Sequence, residues 1–277
     1  MSKAVSEEEA RDTRKKQEFL DTSQYSVNGI KRYEWVFGTT FLSTGGKETT
    51  HMILENVTLP SGSRILDVGS GIGGHAFLMA EKFNSHVHGI DLSRNMLSVA
   101  EEYLSRRPHL KNLVRFEMAD ITKEQPGIPD NHYDLIYSRD CFMHIEDKFT
   151  LFRRLYLKLK PGGRIIFTDY VNGDRDLDSE YAAYLKQRQY HPVTIPKYHK
   201  VLQTSGFVNI DCTSWILVFK AALEAELLKL KEGREDFLQR FTQEDLHDLE
   251  WGWKRKLHRI QNDNQGWMFA TAVKPIM

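Results

Sequence analysis

The stretch that most constrains this chain is Asp67-Val68-Gly69-Ser70-Gly71-Ile72-Gly73-Gly74. Arg64-Ile65-Leu66 enters it as the end of a buried strand and His75–Ala80 leaves it as a helix, so the glycines form a tight strand-to-helix turn. Glycine lets the backbone approach a ligand closely, and N–H groups at a helix start can point at it. The spacing is G-x-G-x-G-G, not the G-x-G-x-x-G of a dinucleotide site. A glycine turn alone is weak evidence. It is strengthened by Asp91, 22 residues after Gly69 at the end of the strand-like run His88-Gly89-Ile90-Asp91. A carboxylate placed there suits a pair of ribose hydroxyls.

From residue 62 strands and helices alternate. Strands are expected at Ser63–Asp67, His86–Asp91, Val114–Met118, Tyr133–Ser138 and Arg164–Thr168. Between them fall helices at Gly74–Phe83, at Arg94–Arg106 with Ser93 as N-cap, and at Phe149–Lys160 closed by Pro161-Gly162-Gly163. Such alternation implies right-handed crossovers and a parallel sheet covered on both faces, with ligands at the carboxyl ends of the strands. Asp67, Asp91, Asp120, Arg139-Asp140 and Asp169-Tyr170 all fall at those ends. Each acid alone reads as readily as a cap or loop residue; five strand ends in succession do not. Further along, Asp169–Asp178 reads as loop. Ser179–Arg188, Thr194–Ser205, Ala221–Lys231 and Glu244–Ile260 read as helices, and Phe207–Cys212 and Trp267–Val273 as strands.

Lys plus Arg and Asp plus Glu are both 38, so no net basic field argues for nucleic acid or an anionic surface as partner. Two cysteines, Cys141 and Cys212, suit a reducing compartment, and no apolar run reaches the roughly 20 residues of a membrane span. Residues 1–19 are polar, lack the apolar core of a secretory signal and read as a disordered lead-in. The cytoplasm is the expected location, with no membrane insertion and no obligate protein partner indicated.

An acid heading D-x-G-x-G-x-G resembles motif I of the S-adenosylmethionine-dependent methyltransferases. Ser23-Gln24-Tyr25, Tyr33-Glu34, Ser43-Thr44-Gly45-Gly46, Tyr137-Ser138-Arg139-Asp140 with His144, Leu159–Gly163, Asp169-Tyr170 and Lys186-Gln187-Arg188 with Tyr190 narrow the likeness. Together they resemble the phosphoethanolamine (phosphobase) N-methyltransferases. Motif I and Leu-Lys-Pro-Gly-Gly are widely shared; the Tyr-Ser-Arg-Asp block and Lys-Gln-Arg-x-Tyr are more specific. The resemblance implies a Rossmann-like α/β fold with a mostly parallel seven-stranded sheet and helices on both faces. It implies one domain over 20–277, with a helical cap over the acceptor site built from 20–46, 170–205 and 216–262. The implied reaction is N-methylation of phosphoethanolamine, its mono- and dimethyl derivatives, or both, to phosphocholine, with S-adenosylmethionine becoming S-adenosylhomocysteine. Cofactor contacts by resemblance are Tyr25, Tyr33, Ser43, Gly69, Asp91, Leu92, Asp120, Ile121 and Arg139. Ser43 would meet the methionyl carboxylate, Asp91 the ribose, Leu92 the adenine face and Asp120 its amino group.

An aminoethyl phosphate arrives as an ammonium without a lone pair, so the site must accept a proton. His144, with an ordinary pKa near ~6.5, is the natural base, Tyr25 its partner by resemblance, and Asp140, one helical turn earlier, an electrostatic aid to the amine. Tyr170, Tyr184, Arg188, Tyr190 and Lys256 are the candidate substrate contacts, on the phosphate side. For Lys256 the residues alone favour a solvated surface run, and for Tyr184 a core position; the family spacing Gly252-Trp253-x-x-Lys256 carries the Lys256 assignment. No metal site is expected, since Cys141 and His144 lack further ligands. The likeness departs at Glu250-Trp251 and at the tail Asn264–Phe269, both expected beside the phosphate end. Competing readings are a sterol or tocopherol-type methyltransferase and a non-catalytic cofactor-binding protein. A nicotinamide dehydrogenase is disfavoured by the glycine spacing.

Overall fold

In the computed structural model residues 7–276 are described, with side chains from Arg11. Seven strands form one sheet: β1 Arg64–Val68, β2 His86–Asp91, β3 Val114–Met118, β4 Tyr133–Arg139, β5 Leu159–Asn172, β6 Val208–Ser214 and β7 Gln265–Val273. Their order is β3-β2-β1-β4-β5-β7-β6. The first five strands pair in parallel, and β7 is antiparallel to both β5 and β6. β1 and β4 are buried along nearly their whole length because both faces are covered. This is the expected Rossmann-like methyltransferase architecture. The chain winds outward from β1 through β2 to β3 and then crosses back to β4 on the other side of β1, leaving a crevice at the carboxyl ends of β1 and β4.

The helices are α1 Glu7–Phe19, α2 Val27–Phe37, α3 Gly46–Leu54, α4 Gly74–Phe83, α5 Arg94–Ser105, α6 Lys148–Lys158, α7 Ser179–Arg188, α8 Ile195–Thr204, α9 Ile216–Glu232, α10 Arg234–Leu238 and α11 Gln243–Gln261. A π-helical turn, Leu20–Gln24, joins α1 to α2. One buried cluster on one face of the sheet extends through Phe219, Leu223, Phe237, Leu246 and Trp253, so α9–α11 pack as part of the core. A second, centred on Phe142, Phe152, Phe167 and Tyr198, lies under α6 and α8. Among the described residues no helix is long and apolar enough to cross a membrane.

Three sequence expectations need correction. The lead-in expected to be disordered over 1–19 is helical from Glu7; residues 1–6 lie outside the described residues. It is held because Thr13 donates to Asp120 at 3.0 Å, while Asp21, just beyond, accepts from the Ser93 hydroxyl and from the N–H of Asn95 (3.4 Å) at the start of α5. The expected helix Phe149–Lys160 ends at Lys158, and Pro161-Gly162-Gly163 lies within β5. Asp169 and Tyr170 continue that strand, because β7 supplies an antiparallel partner as far as Asn172↔Gln265.

Candidate active site

A cavity of about 960 Å³ opens above the carboxyl ends of β1, β2 and β4. The turn after β1 forms its floor. Gly69, Gly71 and Gly73 all have positive φ, which glycine adopts without strain. A Cβ on Gly69 would lie 2.4 Å from Cys141 Sγ. At Gly71 it would meet no protein atom, so the cavity itself passes over bare backbone there. The N–H groups of the loop are largely spoken for. Those of Gly69 and Ser70 go to Ile90 O, that of Gly71 to Asp91 at 2.9 Å, and that of Gly74 to Thr40 O. The glycines therefore provide close approach more than donors.

Asp91 ends β2, with Oδ2 on Gly71 N–H and Oδ1 on Ser93 N–H. Burial raises its pKa, opposed by those N–H groups. Leu92 and Ile121 line the same cavity, as do Tyr33 and Ser43. Asp120 lines it too, but both its oxygens already accept, Oδ1 from Thr122 and Oδ2 from Thr13. Tyr33 lies 6.0 Å centre to centre from Trp253. Ser43 Oγ is 3.3 Å from His75 Nε2, and the other ring nitrogen of His75 is 3.0 Å from Thr50. Arg139 is 3% exposed and spends three donors on Thr168, Thr50 and Thr44 O. It fastens the turn bearing Ser43 to the sheet.

The same cavity holds the expected chemistry. Tyr25 hydroxyl lies 3.3 Å from His144 Nε2; in the tautomer protonated at Nδ1, Tyr25 donates to it. Asn95 fixes Tyr25 from behind, donating to its carbonyl at 2.9 Å. His144 sits in the short turn Phe142–His144, edge-on to Tyr190 at 4.8 Å. Burial, with Lys148 and Arg188 adding to it, lowers its pKa to about 4, not the ordinary 6.5. Burial likewise keeps the Tyr25 hydroxyl protonated. Asp140 is not on a helix with His144: it leaves β4 in the left-handed region at φ 51°. Its Oδ1 accepts from Thr168 at 2.8 Å and from Trp267 Nε1 at 2.6 Å, while Oδ2 is buried without a partner. An unsatisfied buried carboxylate oxygen is costly unless a cation or donor meets it.

Beyond Asp140 the cavity wall carries Tyr170, Tyr184, Arg188, Tyr190 and Lys256. Lys256 Nζ lies 3.4 Å from Tyr170 hydroxyl and 4.5 Å from the Trp253 ring centre. Burial lowers its pKa to about 8, with Glu226 acting against that. Tyr184 lines the cavity beneath Arg259, whose guanidinium is 3.7 Å from the ring centre and paired with Glu180 at 2.9 Å. All the expected site residues thus line this one cavity. Trp251 stands on its α11 rim, and in the tail Trp267 pairs with Tyr170 across the sheet and donates to Asp140. Sequence reasoning passed over Asn95, His75, Glu226 and Arg259, and used Trp253 only as part of the spacing that carries Lys256. Only Glu226 carried a local signal, a carboxylate within the apolar row Phe219, Leu223, Leu230. Among the described residues no group of three or more His, Cys, Asp or Glu could hold a metal.

A methyltransferase domain model matches residues 59–264. Phosphoethanolamine N-methyltransferase from Plasmodium falciparum is 37% identical over 92% of this chain and 95% of its own length. The chain belongs to the phosphoethanolamine N-methyltransferase family. Phosphoethanolamine N-methyltransferase 1 of Arabidopsis thaliana is 44% identical over 93% of this chain, which spans about half that relative's length, 52%. A structure of the Haemonchus contortus family member, phosphoethanolamine N-methyltransferase 2 with phosphomonomethylethanolamine and S-adenosylhomocysteine, superposes with TM-score 0.91 at 36% identity. That match covers 99% of this chain and 61% of the other. Geranyl diphosphate C-methyltransferase from Streptomyces coelicolor, at 13% identity and TM-score 0.67 over 82% of this chain and 78% of its own, shares the fold alone.

Proposed function

We propose that this chain methylates the nitrogen of phosphoethanolamine, of its mono- and dimethyl derivatives, or of both, using S-adenosylmethionine and leading to phosphocholine. The observation that carries the reading is the placement of Asp140 Oδ2, buried and unpartnered, in one cavity with the Tyr25–His144 pair and with Arg188 and Lys256. An ammonium satisfies the first, the second offers a proton acceptor, and the third offers cationic donors for a phosphate. Gly69, Gly71, Asp91, Leu92, Ile121 and Ser43 form a cradle that fits S-adenosylmethionine. That molecule supplies, when bound, a methyl group on a sulfonium.

The chain's own residues then do the following. Asp140 holds the amine, and its backing by Thr168 and Trp267 fixes the carboxylate. His144 Nε2 accepts the amine proton, directly or through the Tyr25 hydroxyl, and exposes the lone pair. A base with a pKa of about 4 is weak, and Arg188 is among the charges that depress it. A phosphate dianion on Arg188 offsets that charge, so acceptor binding strengthens the base that acts on it. The tyrosines around His144 keep water from the amine. Asp120, its oxygens engaged by Thr13 and Thr122, receives the adenine amino group at remaining lone pairs.

The apolar cavity of a sterol-type acceptor fits poorly with Arg188, Lys256 and three tyrosines on one wall. The free cysteines Cys141 and Cys212 support a cytoplasmic setting. The test supplies labelled S-adenosylmethionine with each of the three phosphobases in turn. Methyl transfer to at least one, and none to ethanolamine lacking phosphate, is the expected result. Equal transfer to free ethanolamine would overturn the phosphate reading, and none to any phosphobase the enzymatic one.

A further inference from the structure

Helix α9 buries Phe219, Leu223, Glu226 and Leu230 along one side, so a carboxylate occupies an apolar row. Glu226 is 6% exposed. A carboxylate this far from water persists only where its oxygens are hydrogen-bonded. Oε1 accepts the Gly45 N–H at 2.7 Å and Oε2 the Trp253 indole N–H at 2.6 Å. The two donors belong to separate parts of the cavity wall. Gly45 lies in the turn that carries Ser43, while Trp253 stands one helical turn before Lys256 on α11. The Lys256 ammonium lies over the ring of that tryptophan.

We propose that Glu226 is a positioning residue that ties the Ser43 turn to Trp253 and supplies the negative charge keeping Lys256 an ammonium for an anionic substrate group. The proposal rests on the reading of Lys256 as the phosphate handle. Four further charged or titratable groups face Lys256: Asp140 favours its charge, Arg188 and Arg259 oppose it, and Tyr170 meets it as a neutral hydroxyl. Burial outweighs the others and brings Lys256 down to about 8. Its charge is therefore only partly populated at weakly alkaline pH, and loss of Glu226 moves the midpoint lower.

The experiment compares KM and kcat of the wild type and Glu226→Gln for a phosphobase between about pH 6.5 and 8.5. Glutamine keeps the size but loses the charge and one acceptor. The ratio of the two KM values is expected to climb on the order of fivefold across that range, with kcat changing less. Ionisation of the phosphobase cancels in the ratio, and a merely structural defect gives a ratio flat in pH, which would overturn the charge role. In a Lys256→Met background the climb should vanish; its persistence would exclude Lys256 as the group affected. If Glu226→Gln does not fold, Glu226→Asp takes its place. It keeps the charge but cannot span both donors, so KM should rise by a pH-independent factor, and a climbing ratio sinks the proposal. Should the wild type not use phosphobases at all, the functional reading fails by itself. Lysine NMR of wild type and Glu226→Gln then still decides, an unchanged Lys256 midpoint being the adverse result.

Discussion

At the residue scale, the proposed chemistry turns on a histidine made a weak base by its burial. The pair of Tyr25 and His144, 3.3 Å apart, sits among Lys148, Arg188 and aromatic rings, and these hold His144 near 4. His144→Ala should lower kcat by ~10²–10⁴, with S-adenosylmethionine affinity little changed, because the proposed cradle is made by Gly69, Gly71, Asp91, Leu92, Ile121 and Ser43 and not by His144. Tyr25→Phe should lose less, and the double variant less than the product of the two, since residues that act as a unit are not additive. Full turnover by His144→Ala at neutral pH would remove this histidine from the mechanism. The pH profile offers a second check. After allowance for ionisation of the free phosphobase, the His144-dependent limb of kcat/KM should lie near 4, and that of kcat higher, because kcat reports the complex in which phosphate offsets Arg188. A limb at 6.5 in kcat/KM would show that burial does not depress the free histidine.

At the scale of elements, the N-terminal helix α1 is the part whose role a reading by composition misjudges. Its polar sequence carries no strong apolar stripe, yet Thr13 reaches Asp120 and the following turn reaches α5 through Asp21. Thr13→Val removes one side-chain hydrogen bond, a net loss of about 1 kcal/mol. The bond is made without ligand, so its loss should lower the unfolding midpoint of the ligand-free protein by about 2–4 °C, and titration calorimetry with S-adenosylmethionine shows whether α1 also contributes to binding. Unaltered affinity would mean that α1 covers the cavity without contributing to it. Helices α9 and α11 bear on the same cavity from the opposite side, through Glu226 and the Trp253–Lys256 segment.

For the whole molecule, binding and protonation both read out as stability. A ligand bound by the folded state alone stabilises by about 2.7 kcal/mol at a hundred times its Kd, so S-adenosylmethionine should raise the Tm. Asp91→Ala should abolish most of that rise; an undiminished rise would remove Asp91 from the cofactor site. Asp67, buried with neither oxygen hydrogen-bonded, is pushed by burial up to about 8. Its folded pKa is raised, so the contribution is present in full below the unfolded value of 3.8 and is lost as pH rises towards 8. Asp67→Asn should thus gain stability relative to the wild type between about pH 5 and 8. A difference in Tm that stays constant across that range would show that Asp67 ionises freely in the folded protein.

The sequence alone determined the alternation of strands and helices, the glycine turn, the acids at the strand ends and, by family likeness, the members of the site. Those features are local, since period, turn chemistry and motif spacing are written in consecutive residues. It could not determine that β5 runs on past Thr168 to Asn172, because that extension exists only where β7, about a hundred residues later, pairs with it. Nor could it show that Trp267 backs Asp140, that Thr13 and Thr122 occupy Asp120, or that Glu226 joins two walls of one cavity. Tertiary structure decided these, as it decided the weak basicity of His144. Burial and the charges that face a group come from elements remote in the chain, and no window of sequence contains them.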